Sequence, residues 1–416
     1  MPTITLPDGT TRSFDHDTTP LEIATGISEG LAQCAVGARI DGELCDLTAP
    51  ITEDANVKIV TARKGEKESD PDALELIRHS CAHVMAEAIQ RIRPEAKLVY
   101  GPALENGFYY DISFEGTAPL SSEEFDSIEK EMTAIIQENR PFSRYELSAE
   151  EGMKKLLAEG SKYKIDNANR AIEAGSDALT WYATGEPTED WEDLCRGPHV
   201  PTTGKIGAFK LQSIASSYWH GDADSDNLTR VYGVAFVHKK QLKKYLKLLE
   251  EAKLRDHRVL GKKLKLFHID EQVGQGLLLW TPNGAVVRQE LQNFISEELK
   301  KQQYSQVFTP HIGKLDLYRT SGHYPYYQES QYPPLIDPDQ LSTLASEGCT
   351  CGDLSNLMKE GDIEGYLLKP MNCPHHIRIY ASSPHSYRDL PVRLAEFGTV
   401  YRWEQSGEIG GMTRVR

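Results

Sequence analysis

The sequence has no apolar run of about 18 residues, so it offers no candidate membrane-spanning helix. Its opening, MPTITLPDGTTRSF, lacks both a basic n-region and an apolar h-region. No secretory signal is read there, and the cytoplasm is the expected compartment. Cysteine is scarce: the seven, at positions 34, 45, 81, 195, 349, 351 and 373, are odd in number, scattered, and include no CxxC. That argues against a disulfide framework and fits a reducing compartment. Cys349 and Cys351 read as a reduced loop more readily than as half of a metal site. Positive charge is also short, with 46 Lys and Arg against 62 Asp and Glu and a net charge of −16. A uniformly basic nucleic-acid binder is thereby disfavoured, though local distribution matters more than the sum. No internal repeat is evident.

The 416 residues, 39% hydrophobic and 26% charged, suffice for two to four soluble domains. Four blocks can be read, of an α+β multidomain class. Residues 1–63 alternate apolar and polar positions around a hairpin signal at Asp8-Gly9, with a helix from Thr19 to about Glu29 and strands around Gln33–Ile40 and Val57–Thr61. This is a small unit of the β-grasp kind, followed by a charged linker, Arg63 to Asp70. Residues 71–238 alternate helices and strands and contain two capping boxes, Ser121-x-x-Glu124 and Ser148-x-x-Glu151. Residues 239–265 carry eleven Lys or Arg against three Asp or Glu. They read as a basic linker helix, either simply solvated or contacting a nucleic-acid backbone. From 266 onward, Val287, Leu291, Phe294, Ile295 and Leu299 give Gly284–Gln303 an amphipathic helical pattern, and a strand-like Gln306–Thr309 ends at Pro310.

Two groups of residues carry chemistry. His79 and His83, in Arg78-His79-Ser80-Cys81-Ala82-His83, stand one helical turn apart. They lie roughly opposite the apolar stripe of Leu74, Ile77, Cys81, Val84, Ala88, Ile89 and Ile92. They therefore face a cleft, another domain or solvent. Ser80 stands where HExxH would need its glutamate, so the zincin motif is excluded. Further on, Asp193-Leu194-Cys195-Arg196-Gly197-Pro198-His199 cannot be a regular helix across Gly-Pro, which puts Cys195 and His199 on a loop. HxxxH with a distant CxxxH supplies four lone-pair groups able to bind a metal or hold a hydrolytic water.

These two segments, with the run DLCRGPHVPTTGKIGAFKLQSIASSYWHGD, resemble the editing domain of bacterial threonyl-tRNA synthetases. In that family the domain hydrolyses wrongly attached serine from the tRNA 3′ end. The resemblance implies that His79, His83, Cys195 and His199 are pocket residues, with Asp193 the acidic one. Lys164 matches the family's pocket lysine at a different spacing to the cysteine. A related HxxxH/CxxxH domain occurs in alanyl-tRNA synthetases, and the flanking blocks decide: residues 1–63 resemble a TGS domain, and EGYLLKPMNCPHH with YRDLPVRLAEFGTVYRWEQSGEIGGMTRVR resembles the threonyl enzyme's zinc segment and class II motif 2.

The resemblance implies a partial class II antiparallel-sheet catalytic domain over 266–416. Arg402 would orient the ATP α-phosphate and Glu404 contact ATP or the amino acid. Arg414 would close the loop, and Cys373 would be one ligand of a catalytic Zn2+. The other zinc ligands, motif 3 and the anticodon-binding domain would follow Arg416, so the chain itself is expected to edit but not to aminoacylate or hold that zinc. ATP with Mg2+, threonine and tRNA(Thr) are the implied substrates. The helix ending near Pro310 resembles motif 1, implying a homodimer in the full-length enzyme. Two sites make chemical sense, because a missing methyl is worth only about 1–3 kcal/mol and serine needs a second, hydrolytic check. Two alternatives remain for the chain: an editing-only deacylase, and a TGS-based RNA-binding protein. The longer connection Leu335–Gly365 has no reading.

Overall fold

The computed structural model describes residues 2–62, 69–222, 224–274, 277–346, 349–350, 356–358 and 363–403. Two compact units result, Met1–Leu248 and Leu249–Arg416. Among the described residues, no helix is long and apolar enough to cross a membrane.

The first unit starts with strands β1 (Thr3–Thr5) and β2 (Thr11–Ser13), joined by the turn at Asp8-Gly9, where Gly9 has φ +83°. Helix α1 (Pro20–Ile27) begins where Thr19 caps it, with Glu22 closing the capping box. Ser28 then caps a second short helix, α2 (Glu29–Cys34), so the following strand starts later than the periodicity suggests. Strands β3 (Ala35–Ile40), β4 (Glu43–Cys45) and β5 (Ala55–Thr61) complete a sheet in the order β2-β1-β5-β3-β4. Its β1–β5 pair is parallel and the others antiparallel.

Helix α3 (Pro71–Ile92) follows, capped by Asp70 with Pro71 in its first turn. Strands β6 (Lys97–Tyr100), β7 (Ala103–Leu104) and β8 (Gly107–Ser113) come next. The Ser121/Glu124 box initiates a 3-10 turn that runs into α4 (Phe125–Glu138). Then come β9 (Phe142–Ser148), α5 (Ala149–Glu159) behind the Ser148/Glu151 box, α6 (Lys162–Glu173), β10 (Ala178–Thr184) and β11 (Glu192–Leu194). Strands β12 (Ala208–Tyr218) and β13 (Asn227–Phe236) close an antiparallel sheet β12-β13-β8-β6, with β7 on β8. A separate antiparallel sheet runs β11-β10-β9.

The packing centres on α3. Of the stripe read from the sequence, Ile77, Cys81, Val84, Ala88 and Ile89 are buried and Leu74 and Ile92 half-buried, but Arg78, Ser80, Ala82, His83 and Glu87 on its other faces are buried too. One core joins α3 to Val36 and Val60 of the N-terminal sheet, to Ile128, Met132 and Ile135 of α4, and to Phe108, Tyr110, Ile112 and Val231 of the large sheet. The N-terminal sheet is thus anchored to the next block by shared apolar surface. Arg39 adds two bonds to the Asp72 carboxylate at 2.8 and 2.7 Å. Gly37 permits the approach: a Cβ there would lie 2.4 Å from Leu76 Cδ1.

The basic stretch folds as two helices, α7 (Lys239–Leu254) and α8 (His257–Lys263), because Asp256 caps the second. In the second unit β14 (Phe267–Ile269) pairs antiparallel with β15 (Leu278–Trp280), and Thr281 caps α9 (Pro282–Lys301). The apolar side of α9 is exposed at Val286, Val287, Leu291, Phe294 and Ile295. Strand β16 (Ser305–Gln306) is shorter than its sequence suggests and runs parallel to Leu394–Ala395. Strands β17 (Ile312–Lys314), β18 (Leu335–Ile336) and β19 (Gly365–Leu368) form an antiparallel sheet in the order β17-β19-β18. Helix α10 (Leu315–Thr320) follows β17 and helix α11 (Pro338–Ser346) follows β18, so both lie between its strands in sequence. The architecture is mixed, multidomain α+β.

Leu76 is 1% exposed and sits at the joint between α3 and the N-terminal sheet. Leu76→Ala is expected to destabilise the first unit by about 2–5 kcal/mol, the cost of lost transfer energy plus a cavity. Urea unfolding of the two proteins measures it; a change under about 0.5 kcal/mol would contradict this account of the joint.

Candidate active site

His79 and His83 project from the α3 face opposite its main apolar stripe, with ring centroids 5.3 Å apart and edge to face. Cys195 and His199 come from the segment after β11. There the Cys195 N–H still donates to Thr180 O at 3.0 Å, extending the pairing with β10. The chain then turns sharply at Gly197, φ +72°, where a Cβ would lie 2.0 Å from the Tyr182 hydroxyl. Only glycine fits that position, on both backbone and steric grounds. The turn lets Gly197 N–H donate to Cys195 Sγ at 3.3 Å and returns His199 toward α3. The His199 ring stacks on His79 at 4.2 Å, meets His83 at 4.3 Å, and is backed by the parallel ring of Phe142 at 4.9 Å. Ligand atoms of His79, His83, Cys195 and His199 all lie within 4.8 Å of one another.

Burial fixes the protonation of this cluster. His79 and His199 are pushed below the ordinary histidine range by desolvation, and His83 down to about 3. Desolvation also pushes the Cys195 thiol up to about 12. Four neutral groups therefore share the space at pH 7, and their hydrogens can be assigned from one end. His79 Nδ1 lies 3.1 Å from Pro198 O, and a carbonyl only accepts, so the proton is on Nδ1. His79 Nε2 must then accept, and Cys195 S–H, at 3.3 Å, is its donor. The sulfur in turn accepts from His199 Nε2–H at 3.5 Å. His199 Nδ1 is left bare and accepts from Ser80 Oγ–H at 3.1 Å, while Ser80 Oγ accepts from Val200 N–H at 3.0 Å. The result is a directed chain, Ser80 to His199 to Cys195 to His79 to Pro198. His83 Nδ1 is buried and has no partner among the described residues.

A charged group adjoins the neutral one. Lys164, from α6 and 6% exposed, contacts Asp193 Oδ1 at 2.5 Å and Tyr110 Oη at 3.1 Å. The Tyr110 hydroxyl donates to the other Asp193 oxygen. Asp193 Oδ2 is 3.9 Å from His83 Nε2, beyond hydrogen-bond range. All six residues singled out in this block, His79, His83, Cys195, His199, Asp193 and Lys164, thus meet in one place.

Three imidazoles and a thiol are donors that suit zinc. Tetrahedral zinc would separate its ligand atoms by about 3.3–3.6 Å, and the two sulfur–nitrogen distances of 3.3 and 3.5 Å are compatible. The residues fit a metal; they fit a hydrogen-bonded water equally, since the directed chain satisfies His79, Cys195 and His199 without an ion and leaves His83 to accept from the water. Cys373, exposed at the start of helix Cys373–Tyr380, belongs to no such group among the described residues. His376 beside it is held by Glu396 at 2.9 Å. Arg402 lies near the end of the described chain, its Nε 3.5 Å from Pro370 O. Glu404, Arg414 and Cys351 lie outside the described residues.

Sequence reasoning missed Tyr110, Ser80, Tyr182 and Asp46, each of which touches a cluster residue or its loop. Ser80 sits inside the HxxxH motif and could have been found by asking what faces His199. The others carry no local signal. In the second unit it missed Lys369, 1% exposed and bonded to Thr309 Oγ1 at 2.7 Å and to Glu396 at 3.3 Å. Burial raises the Glu396 carboxyl, but hydrogen bonds from His376, Thr309 and Lys369 outweigh it and hold the group down at about 2.

Three family models match. Residues 2–61 match the TGS domain, and 180–232 the threonyl and alanyl tRNA synthetase second additional domain. Residues 357–416 match the tRNA synthetase class II core domain (G, H, P, S and T). A threonine–tRNA ligase of Thermus thermophilus is 46% identical over 422 residues, covering 100% of this chain and 59% of that protein. One from Streptococcus equi subsp. zooepidemicus is 43% identical over 416 residues, covering 100% of the chain and 58% of its own length. The chain therefore spans about three-fifths of the length of the curated relatives it matches. A crystal structure of the RNA binding domain of a Cryptosporidium parvum threonyl-tRNA synthetase is 38% identical, with TM-score 0.30, covering 39% of this chain and 34% of that one.

The neutral histidines set a pH dependence. Burial holds His83 at about 3 in the folded protein, below its unfolded value near 6.5, so the unfolded chain takes up the proton first. The contribution to stability is whole above pH 6.5 and is lost as pH falls toward 3. Between pH 7 and pH 5 His83 alone should cost the first unit about 2 kcal/mol. Urea midpoints at the two pH values should show this loss, and His83→Gln should reduce it; an identical slope in the variant would contradict burial of a neutral His83.

Proposed function

Given that the chain is homologous to the threonine–tRNA ligases along its whole length, we propose that its first unit hydrolyses serine wrongly esterified to tRNA(Thr). The observation carrying this reading is the juxtaposition of the neutral His79/His83/Cys195/His199 cluster with the Lys164–Asp193–Tyr110 group. The reaction cleaves the ester between the aminoacyl carbonyl and the terminal ribose oxygen. Water adds to the carbonyl carbon, the carbon–oxygen ester bond breaks, and the water proton ends on the ribose oxygen. Histidines held below neutral cannot store that proton. His83, whose Nδ1 has no partner among the described residues, accepts a hydrogen bond from the water, and the directed chain holds the His79 and His199 rings around it. The Lys164–Asp193 pair stands beside the cluster, and the Lys164 ammonium can donate a hydrogen bond to an oxygen that gains negative charge. Any metal held by the cluster would polarise the water; without one, the directed hydrogen-bond chain fixes the rings that surround it.

For the whole protein we propose threonine–tRNA ligase activity: activation of threonine with ATP and Mg2+, then transfer to tRNA(Thr). In that reading Arg402 orients the α-phosphate, with Glu404 and Arg414 completing the ATP contacts. Cys373 would supply one thiolate to a zinc ion that could hold the threonine hydroxyl, the other ligands not being among the described residues. The basic helices α7 and α8 contact the tRNA backbone, and the exposed apolar side of α9 packs against a second copy. The block boundaries read from the sequence, 1–63, 71–238, 239–265 and 266–416, are the corresponding functional division. An RNA-binding role without catalysis is the rival for the first unit; the same assay separates the two.

Purified chain incubated with Ser-tRNA(Thr) should release serine. His79→Ala, His83→Ala and Cys195→Ala should each slow release by about 10²-fold or more, the scale of a lost proton-transfer or water-positioning group. In a full-length ligase, Arg402→Ala should lower threonine-dependent ATP–pyrophosphate exchange by a similar factor and leave deacylation unchanged. Turnover within a few-fold of wild type in all three cluster variants would overturn the site.

A further inference from the structure

The carboxylate of Asp46 lies outside both motifs, in the turn after β4 of the N-terminal sheet. Its Oδ1 accepts the backbone N–H of His199 at 2.8 Å. Its Oδ2 accepts the hydroxyl of Tyr182 at 2.5 Å. Tyr182 is 2% exposed, and its ring stands edge-on to the His199 ring at 4.5 Å. Its hydroxyl occupies the space that a Cβ on Gly197 would need. One carboxylate therefore ties down the main chain of a cluster histidine and, through Tyr182, the turn that presents it. Desolvation pushes the Asp46 carboxyl above its usual range, so this placement costs free energy that its two hydrogen bonds must offset. Lys205 Nζ bonded to Gln33 O gives a second tie from the same sheet module to the segment after the loop.

We infer that Asp46 is a positioning residue of the hydrolytic site, so that the N-terminal sheet module takes part in deacylation by holding the 195–200 loop. This rests on the hydrolase reading above. Asp46 touches no reacting atom; it acts through His199 and Tyr182. The backbone bond matters because the hydrogen-bond chain through His199 spans only the distance between α3 and that loop. A displacement of His199 by about 1 Å, with costs near 10²-fold in well-placed sites, would break its contacts with both Ser80 and Cys195.

The test uses the full chain with Ser-tRNA(Thr). Asp46→Ala should lower kcat by at least about tenfold with KM within a factor of about three, since substrate contacts are untouched. Asp46→Asn keeps an acceptor for the His199 N–H and should recover activity to within about threefold of wild type. Tyr182→Phe removes only one of the two bonds and should fall between. Hydrogen–deuterium exchange of the peptide spanning 196–200 should speed up in Asp46→Ala and not in Asp46→Asn. Unchanged kcat and unchanged exchange in Asp46→Ala would overturn the inference. So would a rise in KM alone, which would make the module a tRNA-docking surface. If Asp46→Ala unfolds, Tyr182→Phe decides: activity and exchange both indistinguishable from wild type would again overturn it. If the wild-type chain releases no serine, the hydrolase reading falls, while the exchange result still judges whether Asp46 holds the loop.

Discussion

A helix whose central turns are enclosed on every side leaves little freedom to the structures around it, and α3 is such a helix over Leu76–Ile89. One stripe carries the apolar residues that bind the large sheet and α4. Its N-terminal part meets Val36 and Val60 of the first sheet. Its remaining face holds His79 and His83 against the loop after β11. Burying that last face would be costly if its polar atoms were unpaired, since an unsatisfied buried group costs about 1–3 kcal/mol. The structure answers with a complete set of partners for His79, Ser80 and Glu87; the last bonds Arg91, Arg140 and Thr184. His83 Nδ1 is the exception on this helix. The site exists because α3 must satisfy its polar face, and the loop that satisfies it brings the cysteine and third histidine.

Much of this was legible beforehand, for identifiable reasons. The Ser121 and Ser148 capping boxes are local signals, and each marks a real helix start. HxxxH is readable because spacing alone fixes which side chains share a helix face. CxxxH across Gly-Pro is readable because the sequence forbids a helix there. What escaped notice depends on tertiary contact. Tyr110 is one of several aromatics in a strand, and nothing local separates it from Tyr109, which stacks under Arg230. Asp46 sits in a polar turn and looks like any solvated aspartate. The break at Asp256 was missed because the basic run masks an Asx cap within it.

Charge and neutrality are kept apart over short distances. Lys164 and Asp193 neutralise one another beside Tyr110, and the carboxylate stays just out of hydrogen-bond range of His83. Were it closer, it would favour an imidazolium at His83 in place of the neutral ring that meets His199. A comparable separation recurs in the second unit, where Lys369 and Glu396 are both buried and shared with Thr309 and His376. In each place a paired charge supports neighbouring polar groups without leaving an isolated ion in the interior.

The turn at Gly197 has a consequence for how the sequence can drift. The glycine is needed because the Tyr182 hydroxyl fills its side-chain space, and that hydroxyl is there because Asp46 accepts it. Positions 46, 182 and 197 are thus linked across 151 positions of chain. A larger residue at 197 would require a smaller one at 182, and losing the tyrosine would remove one reason to keep a buried carboxylate at 46. Substitutions among homologues should accordingly arrive as correlated sets at these three sites, with the N-terminal module and the loop inherited as one unit.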